Sequence, residues 1–304
     1  MNGFWIHFLT TLKLNFRNKQ AVVFGYVVPV FFLLAFGSIF VRGSDSLETE
    51  LGQLLTISVL GGACFGMPVT FVTERERGVW RRYKLAPMGT AWFVLSLMLA
   101  RYVIVATAAL MQVFLAKAIY HNTPWPKHPW QLWLAFTLVC WAFLGIGLLI
   151  SMISNSAGAV QALGQSIFLP MIIIGGVGVP LTMLPHWGRH VAAFLPGRYA
   201  VEAMDQCISD KLRTMPSLTP AAAAARGKAP AKPAMSEPAQ HGLFRRPFDS
   251  LALLVIGAAG LLAGAKLFRW ENMQRLPPGG WWWALLAVAA WLAVGVAAER
   301  LGIA

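Results

Sequence analysis

The densest charge in the chain lies between Thr73 and Pro87, where Glu74, Arg75, Glu76, Arg77, Arg81, Arg82 and Lys84 crowd into a sequence that is only 12% charged. Alternating carboxylates and guanidinium groups suit ion pairing with a partner or a charged surface. His186 and His190 stand at i, i+4, a spacing that puts two imidazoles on one helix face and can bind a metal, though no third ligand lies nearby. Cys64, Cys140 and Cys207 form no C-x-x-C, and the first two sit in apolar runs as small buried hydrophobes. No G-x-x-x-x-G-K-[ST] occurs, so the chain cannot itself cradle nucleotide phosphates. Arg101 interrupts an apolar stretch. It is either an ion-pathway residue or, at lower cost, a residue near the membrane interface.

The charged segment reads as a short helix. Thr73 and Glu76 have capping-box spacing, and Pro87 stops the helix near Leu85. Val79, Trp80, Tyr83 and Ala86 fall on one side, so the helix can lie along a membrane surface with its charges toward water or a partner. The alternative is a basic loop that only fixes topology.

Composition says what surrounds it. The 304 residues are 57% hydrophobic with a mean hydropathy of +0.61, and several apolar runs are long enough to cross a bilayer. The net charge of +13 comes from Lys and Arg beside those runs and in one long loop, which suits topology and anionic headgroups rather than nucleic acid. No cleavable signal peptide is expected. Residues 1–20 read as an amphipathic interfacial helix. Spans are expected at about 21–41, kinked at Pro29, and at 51–72, where Gly62 and Gly66 have G-x-x-x-G spacing. The third is expected at 102–120, with 91–100 lying along or just below the membrane surface so that Arg101 sits near the inner interface. The fourth runs to residue 153 behind Trp130 and Trp133, and the fifth covers 158–179 after an inner turn at 154–157. Gly175, Gly176 and Pro180 break the helix, and Pro185 and Pro196 divide 181–206 into two short re-entrant or interfacial helices on the outer side. Residues 211–247 read as a disordered outer loop. A sixth span at 250–268 and a seventh at 281–298 place the C-terminus outside.

The motif Glu74-Arg75-Glu76-Arg77-Gly78 with Arg81, Arg82 and Pro87 resembles that of ABC-type-2 membrane permeases, the transmembrane subunits of ATP-binding-cassette exporters. Arg17 and Asn18 before a span containing Pro29, the run Pro180, Leu184 to Trp187, Pro196, Tyr199 to Ala203, and the ending Leu267 to Glu271 extend the resemblance over about residues 1–275. It implies an all-α, six-span bundle at 21–275 with an N-terminal interfacial helix, a cytoplasmic coupling helix and outer re-entrant helices. Residues 276–304 and the length of the outer loop depart from it. It further implies that Thr73, Glu74, Arg75, Glu76, Arg77, Gly78, Arg81, Arg82, Ser154 and Asn155 couple to an ABC ATPase subunit. Gly175, Gly176, Pro180, Pro185, Trp187 and Pro196 would form the outer gate. ATP and magnesium would sit on the partner, with no cofactor, catalytic residue or metal on this chain. Two permeases, as a homodimer or a pair, would enclose a path through a bacterial inner membrane for a lipophilic, drug- or antibiotic-like substrate. Lipid-linked polysaccharide or haem and cofactor export remain alternatives. A secondary transporter is disfavoured by the few ionisable residues in the spans. A membrane enzyme lacks a nucleophile–base constellation.

Overall fold

The computed structural model describes residues 2–17, 22–40, 51–85, 89–120, 125–179, 181, 184–208, 247–271 and 279–301. Ala86, Pro87, Pro180 and all but the last residue of the expected 211–247 loop fall outside them. Every regular element among the described residues is helical. Five helices are long and apolar enough to cross a membrane: α3 (Leu51–Glu76), α5 (Thr90–Ile119), α6 (Pro129–Ile153), α10 (Pro247–Lys266) and α11 (Gly280–Arg300). Two shorter apolar helices, α2 (Val28–Phe40) and α7 (Ala157–Ile173), occupy the places of the expected first and fifth spans.

α1 (Asn2–Arg17) lies on α5. His7, Phe8 and Thr11 are buried, while Trp5, Ile6, Leu9, Leu14 and Phe16 stay exposed, so its outward face is apolar. That is the arrangement of a helix lying in a lipid interface. His7 Nδ1 is 2.6 Å from Ser96 Oγ, and the ring packs on Tyr83 and Phe93. Burial lowers the His7 pKa from its ordinary 6.5. The unfolded chain then takes up the proton first, so stability falls as pH drops below 6.5 toward the lowered value. The apparent Tm in detergent is expected to decline over that window. His7→Gln should flatten the profile; an equally steep profile in that variant would exclude His7 as its source.

α3 is one continuous rod interrupted by a π-helical stretch at Leu60–Gly66. α5 is likewise unbroken over 30 residues, about 45 Å at 1.5 Å per residue. Residues 91–100 are thus part of this rod rather than a separate helix along the surface. Arg101 is 3% exposed and faces protein, donating to Thr70 Oγ1 at 2.9 Å. α3 thus supplies the charge with a polar neighbour in place of lipid.

α6 and α10 pack along their length on glycines. A methyl group on Gly145 would sit 2.5 Å from the Gly257 carbonyl oxygen, one on Gly260 2.6 Å from the Gly145 carbonyl carbon, and one on Gly257 2.2 Å from the Trp141 ring. This seam, with Gly260 and Gly264 in G-x-x-x-G spacing, lets two backbones touch as membrane helices do. Gly62 meets only the Val105 side chain.

The two short helices expected within 181–206 are present as α8 (His186–Ala193) and α9 (Pro196–Ile208). The end of α9 meets the start of α6, where His128 N–H donates to the Cys207 carbonyl, and the start of α10, where Gln206 donates to Asp249. α11 runs from the end of α10 to α8. Lys266 Nζ sits 5.4 Å from the Trp283 ring at one end, and His190 Nδ1 lies 3.2 Å from Glu299 Oε1 at the other. The Trp291 indole donates to the Phe194 carbonyl between them.

Candidate functional site

The charged segment sits at the end of the bundle where α3, α6 and α10 finish and α7 begins. α3 does not start at Thr73 but passes through it to Glu76. Arg77 N–H donates to the Thr73 carbonyl, and Gly78 N–H to that of Arg75. Gly78 then takes φ 68, ends α3 and opens the short helix α4 (Val79–Lys84). The capping box therefore does not form, and the helix expected over the whole segment is two. With no glycine or proline between residues 69 and 77, extending α3 is easier than nucleating afresh. The true signal was the glycine, which tolerates the left-handed conformation at a helix end.

α4 is fixed by Trp80, which is fully buried against Phe71, Phe93 and Phe268 at centroid distances of 5.6, 5.4 and 5.6 Å. Its indole N–H donates to Glu74 Oε2 at 3.1 Å. Tyr83 packs on Phe93, and burial, followed by the nearby Glu74 charge, raises its pKa, so the phenol stays neutral. The opposite side of α4 carries exposed Arg81, Arg82 and Lys84 beside exposed Arg77. Arg81 meets Glu271 at 3.1 Å, an exposed pair that contributes little stability.

Two buried arginines close the site. Arg75 donates to the carbonyls of Ser151 (3.0 Å) and Ser154, and Arg269 to the Met152 carbonyl (2.6 Å) and Asn155 Oδ1 (2.9 Å). The last carbonyls of a helix have no partner within it and carry its negative end, so two guanidinium groups there answer both needs. Burial lowers the Arg269 pKa from its ordinary value. Glu76 Oε1 accepts from Ala157 N–H at 3.0 Å, and the Ser156 side chain accepts from Ala159 N–H, so the first turn of α7 is capped from two sides. α3, α4, α6, α7 and the strand-free tail after α10 thus form one bracket.

This bracket gathers Thr73, Glu74, Arg75, Glu76, Arg77, Gly78, Arg81, Arg82, Ser154 and Asn155 at one end of the bundle. Arg269 and Trp80 are its unforeseen members; Arg269 stood only in the Leu267 to Glu271 ending, with nothing local to pair it with Asn155. The second expected set lies elsewhere. Gly175 and Gly176 are buried after α7, with Gly176 at φ 77 and its carbonyl accepting from Gln53 at 2.8 Å. Pro185 caps α8, Pro196 opens α9 in the interior, and Trp187 is exposed. Among the described residues no group of three His, Cys, Asp or Glu could hold a metal.

A family model described as ABC-2 type transporter matches residues 2–208, more than half of the 304-residue chain. The chain belongs to the ABC-2 type transporter family. No curated protein and no solved structure gives a significant match. The permease is therefore the membrane-spanning transport component of an ABC transporter rather than a catalytic one, in a family that works with an ATP-binding subunit. The match stops at α9, so α10, the Arg269 tail and α11 lie beyond the matched segment of the permease.

Proposed function

We propose that this permease is the membrane half of an ATP-driven exporter that carries a lipophilic or amphipathic, drug-like substrate out of the cytoplasm or inner leaflet of a bacterial inner membrane. ATP and magnesium sit on a separate subunit, and two permeases pair around the path. The observation that carries the reading is the bracket: a basic helix, α4, held by Trp80 with its cations outward on the end of α3, which Arg75 and Glu76, with Arg269 after α10, tie to the ends of α6 and α7. A push on α4 reaches three membrane helices without passing through a flexible loop. Its Lys and Arg support a cytoplasmic side for that end, on which reading α8 and α9 lie outside and α11 is a seventh span.

An ion-coupled mechanism finds little support. Among the described residues the buried carboxylates of the long helices, Glu74 and Asp249, lie in terminal turns, not at mid-span. Reconstituted with its ATP-binding subunit, the permease is expected to show flux that requires ATP and persists when ion gradients are collapsed. Flux driven by a pH gradient alone would overturn the reading.

A further inference from the structure

Between α1, α3, α5 and α7 lies a cavity of about 520 Å³ that the bracket does not fill. Arg101 lines it from α5, about 17 Å along that helix from Thr90 at 1.5 Å per residue. A guanidinium has five N–H donors. Among the described residues, Arg101 places one hydrogen bond, to Thr70, and Glu74 attracts it without a direct ion pair. The residue is nonetheless 97% withdrawn from solvent, being 3% exposed. A charge so withdrawn from solvent is costly unless neighbours neutralise it, and the one carboxylate near it, Glu74, also interacts with Arg77. Arg77 and Arg17 line the same cavity, so its wall carries three cations against one carboxylate. Phe65 and Val69 of α3 line it too, giving the charged wall an apolar continuation.

We propose that this cavity binds the anionic headgroup of an amphiphile. Arg101 and Arg77 hold a phosphate or carboxylate, and the apolar tail lies along Phe65 and Val69. The inference deepens the transport reading, since it names the charge and shape of the molecule admitted from the cytoplasmic side. One chemistry has two sources here: a cargo molecule, or a resident anionic lipid of the bilayer.

The test uses the full-length permease alone, in phosphatidylcholine nanodiscs, titrated with dodecyl phosphate and with dodecyltrimethylammonium. Saturable binding of dodecyl phosphate is expected, and the cation of equal chain length should bind at least about tenfold more weakly. This comparison needs no variant, so it survives any folding defect. Arg101→Gln should weaken dodecyl phosphate about tenfold and Arg77→Gln by less, with Arg101→Lys intermediate and Lys117→Gln, at the far end of α5, unchanged. Equal binding of the two detergents, or wild-type affinity in folded Arg101→Gln, overturns the site. Because no ATP-binding subunit is present, failure here leaves the transport reading untouched, and failed ATP-driven flux leaves this site untouched. The source is separated afterwards. Phosphatidylglycerol that displaces dodecyl phosphate and is not moved by ATP in the full complex identifies a resident lipid. ATP-dependent release of dodecyl phosphate identifies cargo.

Discussion

A leucine at Gly145 is expected to leave almost no folded permease in the membrane. The first atom it adds would fall 2.5 Å from the Gly257 carbonyl oxygen, which is backbone and has no rotamer to turn to. α6 and α10 would have to part, and with them the packing that both helices share. Overpacking of a close-fitted interior typically costs about 1–3 kcal/mol even where side chains adjust, and here they cannot. Against a marginally stable fold that is enough to abolish recovery. Gly145→Ala should show a milder form of the same defect. Gly62→Ala should do better than Gly145→Ala, because its added methyl meets only the Val105 side chain. Yield of monodisperse protein after detergent extraction, with exposed Leu262→Ala as a reference, decides it. Wild-type recovery of Gly145→Leu would show that the two helices do not touch along this seam.

Reversing Glu74 and Glu76 to lysine is expected to disconnect ATP hydrolysis from transport while the protein still inserts. At position 76 the change removes the acceptor of Ala157 N–H and sets a cation against the positive end of α7. At position 74 it removes the Trp80 partner and brings a third cation beside Arg77 and Arg101. Each lost charge-assisted bond is worth about 1.5–3 kcal/mol, so the bracket loosens at two points. Permease-stimulated ATPase activity should fall at least about tenfold by the same figure. Glu76→Lys alone isolates the α7 link from the cavity that Glu74 also lines, and Glu76→Gln, which keeps an acceptor oxygen, should retain most coupling. Gly78→Val should act similarly, since a branched residue at φ 68 carries backbone strain of about 1–2 kcal/mol. Stimulation unchanged in the double reversal would reduce the segment to a topological signal.

Much of this arrangement is legible in the sequence. The long apolar helices, the pair α8 and α9, and the gathering of charge at one end follow from run length, proline placement and composition. What escaped were contacts made across the chain. Thr73 and Glu76 satisfied a local capping rule, yet the helix through them had already begun at Leu51 and stopped only at Gly78. Arg101 looked unaffordable inside a span because its neighbours Thr70 and Glu74 belong to another helix. The G-x-x-x-G spacing at Gly62 and Gly66 was no stronger than that at Gly260 and Gly264, and only packing tells which pair meets a backbone. His186 and His190 lie on α8 as their spacing suggests, and the carboxylate near His190 is Glu299, over a hundred residues away, in a hydrogen bond.

The π-helical stretch at Leu60–Gly66 has a bearing on all of this. A π-turn winds in about one residue more than the α-helix on either side, so the two halves of α3 stand rotated by roughly 100° from where an unbroken helix would put them. The far half is anchored through Gln53 to the backbone at Gly176. The azimuth at which Arg75 reaches the end of α6 and Glu76 reaches α7 is therefore set by one surplus residue at the middle of the rod. Removing that residue and letting the ladder close as plain α-helix would swing Glu74, Arg75 and Glu76 around the axis together, away from every partner they now hold. α3 works as a crankshaft whose throw is fixed in its least regular turn, and a one-residue change there re-aims the end that carries the charged bracket.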